Sequence, residues 1–133
     1  MDMEILHKET TDKILKCFYN VYNKMGYGFA EKVYENSMVI EMNKIGLAFE
    51  QQKSIKVYYE GYQVGSYTAD IVVQGSVLLE LKTGSAIIPA HEAQLLNYLR
   101  ATDIEIGFVL NFGEKPQFRR MAFLNSRKFR HAA

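Results

Sequence analysis

A single cysteine, Cys17, occurs in the 133-residue chain. No intramolecular disulfide can form. One cysteine and three scattered histidines also cannot make a zinc cluster, whose ligands recur at short spacings. Cys17 falls in a helical pattern and reads as a structural thiol. No apolar run approaches the ~18 residues of a membrane span, so no membrane partner is expected. The stretch MDMEILHKETTDK is charged and polar, without the apolar region of a signal peptide, and the expected compartment is the cytoplasm. An excess of one charge is missing too: 16 Lys and Arg stand against 15 Asp and Glu, a net charge of +1. Nucleic-acid binders often carry a basic excess, so any basic surface here must be local. Lys115, Arg119, Arg120, Arg127, Lys128 and Arg130 supply one near the end of the chain.

Linkers, repeats and low-complexity tracts are absent, and the two prolines, Pro89 and Pro116, fall at element boundaries. With 48% hydrophobic and 23% charged residues, the chain reads as one domain over residues 1–133 with a single core. Residues 125–133 are a candidate flexible basic tail. Apolar spacing predicts a helix over 4–25, ended by Gly26 and Gly28, and a second over 29–45, stopped by Gly46. Alternation and β-formers then predict strands over 54–60, 63–74 and 76–82, with turns at Gly61 and Gly75. Helical spacing returns over 89–102, with Pro89 near its start. Strands are predicted over 105–112 and 117–124. The order ααβββαββ joins an antiparallel meander to a helical crossover, which implies an α/β sheet flanked by helices.

Within the third strand, LLELKTG places Glu80 and Lys82 among leucines. Charged side chains are seldom buried unless paired or bound to something. Alternation puts Glu80 and Lys82 on one face and Leu79 and Leu81 on the other. Gly75 lies midway between Asp70 and Glu80, so a short hairpin there brings the two acids opposite each other, about 5 Å apart at Cβ. A divalent cation between them would turn repulsion into attraction. Lys82, one step along that face, could then hold a phosphate or orient a water. The plainer reading of the same spacing is an ion pair between Lys82 and the acids on a wet sheet face. In the second helix, Glu31 and Tyr34 share a side with Glu35, and Glu31 alone would serve the helix dipole. In the third, His91, Gln94 and Tyr98 form a polar stripe that either faces water or lines a phosphate site.

Taken together, these segments resemble the GxxExxY protein family, a branch of the PD-(D/E)XK nuclease superfamily. Gly28-Phe29-Ala30-Glu31-Lys32-Val33-Tyr34 carries the naming motif, TADIVVQGSVLLELKTG the Asp…Glu-x-Lys core, and AHEAQLLNYLRATDIEIGFVLNFG the following segment. The resemblance spans about residues 5–124. It implies a restriction-endonuclease-like core, a mixed four- to five-stranded sheet with helices on both faces. It also implies a nuclease that uses Mg²⁺, or Mn²⁺ in its place, on nucleic acid, DNA before RNA. Carried over by position, Asp70 and Glu80 would ligate the metal, with the Leu81 carbonyl as a third ligand. Glu31 would add a carboxylate and Lys82 would position the water. Tyr34, Gln94 and Tyr98 would support the site or contact phosphate. Ala69 stands where the superfamily name has proline, and Thr68 where related sequences often carry a basic residue. Two other readings stay open: a nucleic-acid-binding or adaptor module that keeps the fold without turnover, and an assembly role for the tyrosine-rich stretch with Tyr58, Tyr59, Tyr62 and Tyr67. A homodimer suits a nuclease that cuts two strands.

Overall fold

The computed structural model describes residues 6–128. Two helices come first, α1 (Lys8–Met25) and α2 (Glu31–Lys44). Three strands follow, β1 (Phe49–Tyr59), β2 (Tyr62–Val73) and β3 (Val77–Lys82), then α3 (Pro89–Arg100), β4 (Ile106–Phe112) and β5 (Pro116–Ala122). The expected order ααβββαββ is therefore the observed one. The strands form one five-stranded sheet in the order β1-β2-β3-β4-β5. β3 and β4 run parallel through the α3 crossover, and every other neighbouring pair is antiparallel.

The core has two halves, one on each sheet face. Ile14, Phe18 and Val21 of α1 and Tyr34, Met38 and Met42 of α2 pack on Ile71, Val73, Val77, Leu79, Leu81, Phe108 and Phe112. Leu95 and Leu99 of α3 pack on Val72, Leu78 and Val109, with Ile55, Ala69 and Ile104 alongside. β3 and β4 are covered on both faces, which is why they read as near-continuous apolar runs. Gly107 lets α3 approach the sheet: a Cβ there would stand 2.7 Å from Leu95 Cδ1 and 3.1 Å from the Leu78 carbonyl oxygen.

Boundaries differ from expectation mainly at the first strand, which begins at Phe49 rather than 54. Phe49, Glu50 and Gln51 pair with Val73, Val72 and Ile71. The polar run EQQK hides this strand, because ladder bonds need no apolar side chain. The first helix begins at Lys8 after a left-handed His7 (φ 56°), and the part of the expectation over residues 4–5 lies outside the described residues. In the expected tail, Asn125–Arg127 form a 3-10 turn. Lys128 is buried there, its Nζ donating to the carbonyls of Thr102 (2.8 Å) and Ile104 (2.7 Å). The tail from 129 onward lies outside the described residues. Among the described residues no helix is long and apolar enough to cross a membrane.

Candidate active site

The hairpin at Gly75 has the register that its midpoint implied. Val73 faces Val77, Val72 faces Leu78 and Ile71 faces Leu79. Gln74 (φ 52°) and Gly75 (φ 63°) make the turn, closed by the Ser76 amide on the Val73 carbonyl at 2.9 Å. One step further, where Asp70 would face Glu80, the ladder stops. Here the Asp70 carboxylate reaches across instead, its Oδ2 accepting the Leu81 amide at 2.8 Å. On the other side of β2, pairing with β1 passes from Gln51–Ile71 to Lys53–Ala69, with Gln52 at φ 51° between them. Asp70 thus occupies a point where β2 loosens from both neighbours.

Glu80 is only 5% exposed, and its Oε1 is buried without a hydrogen-bond partner. Burial, and next the charge of Asp70, pushes its carboxyl up to about 8, against the pull of Lys82. The ion-pair reading of Lys82 does not hold. Among the described residues its Nζ comes within bonding distance of neither acid, and its bond runs to Gln94 Oε1 at 3.4 Å. Gln94 in turn donates to the Tyr98 hydroxyl. The stripe on α3 therefore faces β3 rather than water. His91 belongs to the same neighbourhood. Its Nδ1 accepts the Ile88 amide at 3.3 Å, closing the start of α3, and burial and the charge of Lys82 lower its pKa while Glu31 raises it.

Two of the expected residues stand apart from the Asp70–Glu80 pair. Glu31 is exposed at the first position of α2, with its charge felt at His91. It does not join Asp70 and Glu80: no group of three or more His, Cys, Asp or Glu that could hold a metal forms among the described residues. Tyr34 is fully buried. Its ring stacks on Phe112 (4.2 Å, 18°), and its hydroxyl donates to the Gly26 carbonyl at 2.7 Å while accepting the Phe29 amide at 3.3 Å. It supports the fold at the motif loop rather than facing substrate. Glu35, on the same helix, is buried and satisfied by Gln51 (2.7 Å), Gln52 (2.7 Å) and Lys32 (3.1 Å).

Two other residues join the site without having been singled out for it. The Tyr67 ring stacks on Tyr98 at 3.6 Å and 14°. Its hydroxyl is buried without a partner, and burial, Tyr98 and Glu80 together raise its pKa. Asn111 lies beside Lys82 in the parallel ladder, with Nδ2 donating to the Gly84 carbonyl at 2.9 Å and Oδ1 buried without a partner. Tyr67 was visible only as one of several tyrosines in a strand. Asn111 was detectable as a polar residue within an otherwise apolar strand. A separate cleft of about 440 Å³, between Tyr19, Ile87 and Phe118, contains none of these residues.

Two close carboxylates, one with a partnerless buried oxygen, suit a hard divalent cation such as Mg²⁺, which takes oxygen ligands and keeps several waters. Asp70 and Glu80 fit as two of those ligands, and the buried, partnerless Glu80 Oε1 is the feature that favours a cation there.

Comparison with known proteins agrees with this fold. The crystal structure of SSO0001 superposes with a TM-score of 0.54 at 15% sequence identity, over 70% of this chain and 50% of that one. At that identity the likeness concerns the fold, and the chain spans half the length of that protein. No curated protein sequence matches significantly. The model of the PD-(D/E)XK nuclease superfamily matches residues 8–121, an interval that holds the Asp70–Glu80 pair, Lys82 and the Gln94–Tyr98 stripe, and the chain belongs to that superfamily.

Proposed function

We propose that the protein is a Mg²⁺-dependent nuclease that hydrolyses phosphodiester bonds of nucleic acid, DNA before RNA, and that within its superfamily it falls in the GxxExxY branch. The observation that carries this reading is the buried Glu80 carboxyl beside Asp70, whose Oε1 has no hydrogen-bond partner among the described residues, while Lys82 bonds to Gln94 instead. Asp70, fixed by the Leu81 amide, and Glu80 would hold the cation. A bound divalent ion lowers the pKa of water and stabilises charge on phosphate. Lys82 contributes a positive charge on the same face, steadied by Gln94, where it orients the attacking water or the scissile phosphate. Tyr98, clamped by Tyr67, keeps Gln94 in place.

Plasmid and single-stranded substrates incubated with Mg²⁺ or Mn²⁺ test the reading. Wild type should cleave, and Glu80→Ala and Lys82→Ala should lose at least about 100-fold in rate, the scale of an electrostatic catalytic group. Equal background cleavage by all three would overturn it and leave a binding module without turnover.

A further inference from the structure

Three segments meet at the C-terminal end of the parallel pair β3–β4, where open α/β sheets present their ligand crevice. They are loop 26–30, the turn at 113–114 and loop 83–88. Gly113 has no side chain because loop 83–88 passes over it: a Cβ would stand 2.5 Å from the Gly84 carbonyl oxygen. The Tyr22 hydroxyl lies 2.8 Å from the Gly113 carbonyl and 2.6 Å from that of Glu114. Tyr34, stacked on Phe112, ties down both ends of the Gly26–Phe29 stretch with one hydroxyl.

That pinned loop reads Gly-Tyr-Gly-Phe. Gly26 (φ 68°) and Gly28 (φ 109°) take backbone angles that disfavour any other residue, and the two aromatics between and after them face solvent. Tyr27 is 60% exposed and Phe29 46%. Exposed aromatic residues on a floppy loop would be unremarkable. Here the motif tyrosine spends a buried hydroxyl on holding them in one place, and the next residues of the chain lead to Glu31, whose charge reaches His91 beside Lys82.

Two cations of this region are paired. Lys32 pairs with Glu35 at 3.1 Å and Arg119 with Glu92 at 3.0 Å, and the net charge of the chain is +1. A duplex is gripped chiefly through its phosphates by unpaired Lys and Arg. Unpaired bases are gripped by aromatic faces, each stacked base contributing roughly tenfold or more in affinity. A base offers its face only when it is out of the double helix.

We propose that Tyr27 and Phe29 form a stacking platform for unpaired bases, so that the substrate of the site is single-stranded nucleic acid or a frayed end rather than an intact duplex. This rests on the nuclease reading above and narrows its substrate class.

Fluorescence anisotropy tests it, with Ca²⁺ in place of Mg²⁺ to hold back turnover. The probes are a labelled mixed-sequence single strand and the same strand in a flush-ended duplex. Wild type should prefer the single strand at least about tenfold. Tyr27→Ala with Phe29→Ala should weaken single-strand binding by at least about tenfold, leave the slope of log Kd against log salt unchanged, and stay folded, with only a small drop in unfolding temperature from the lost edge contact of Phe29 on Tyr34. The exchange Tyr27→Phe with Phe29→Tyr should retain binding. Equal affinity for both probes, an alanine pair that binds as wild type, or a loss that flattens the salt slope each overturns the platform. Light scattering that shows the alanine pair splitting a dimer while nucleic-acid affinity stays unchanged overturns it in favour of a second copy. Wild type that binds neither probe overturns the nuclease reading itself, and the platform with it.

Discussion

A Glu80→Gln substitution is expected to stabilise the metal-free protein at high pH and to leave it nearly unchanged near pH 5. Burial and the charge of Asp70 raise the Glu80 carboxyl from its ordinary 4.5 to about 8. Between those values the folded protein keeps a proton that the unfolded chain has released, so stability falls as pH rises through the window. The slope is at most about 1.4 kcal/mol per pH unit, and the whole interval amounts to at most about 5 kcal/mol. Glutamine has nearly the same shape and does not titrate. The variant should therefore match wild type near pH 5 and exceed it increasingly up to pH 8, by a few kcal/mol. Mg²⁺ should restore wild type at pH 8, because it binds the folded state alone, and should do little for the variant. Urea unfolding followed by circular dichroism, across pH 5–8 with EDTA and again with Mg²⁺, measures all four curves. The reasoning fails if the difference between the two metal-free proteins does not grow with pH.

Gly107→Ala should cost about 1–3 kcal/mol, read from the urea midpoint, because its Cβ would press on Leu95 and the Leu78 carbonyl. Tyr67→Phe keeps the stack on Tyr98 and removes a hydroxyl that has no partner, so stability should change by less than about 1 kcal/mol, whereas Tyr67→Ala should lose about 3–5 kcal/mol. Cys17 is buried, and burial raises its thiol pKa. A thiol reagent at pH 8 should therefore leave it unmodified in the native protein and label it promptly in denaturant.

Much of the site follows from local rules. The Gly75 midpoint determined the hairpin register, and two-residue alternation put Glu80 and Lys82 on one face. Helical spacing of 4 put Gln94 and Tyr98 on one stripe, where they bond to each other. Tyr67 escaped because alternation breaks at Asp70. Ala69 packs on the α3 face and Ile71 on the α1–α2 face, although two-residue spacing would put both on one side. Gln52, with its left-handed backbone, makes the same roll in β1, so that Gln51 and Gln52, consecutive in a strand, both reach Glu35. The place of Glu31 relative to the carboxylate pair depends on how α2 meets the sheet, which spacing within one helix does not encode.

The break in the ladder beside Asp70 gives the protein an internal probe. The Leu81 N–H points at a carboxylate rather than at a strand carbonyl, its nitrogen 2.8 Å from Asp70 Oδ2, so its proton reports on that carboxylate. When a cation draws electron density from that carboxylate, the amide resonance of this one residue should move upfield while those of Leu78 and Leu79, held in regular pairing, stay still. One backbone signal would then follow occupancy of the site in solution, with no substrate present and no residue altered.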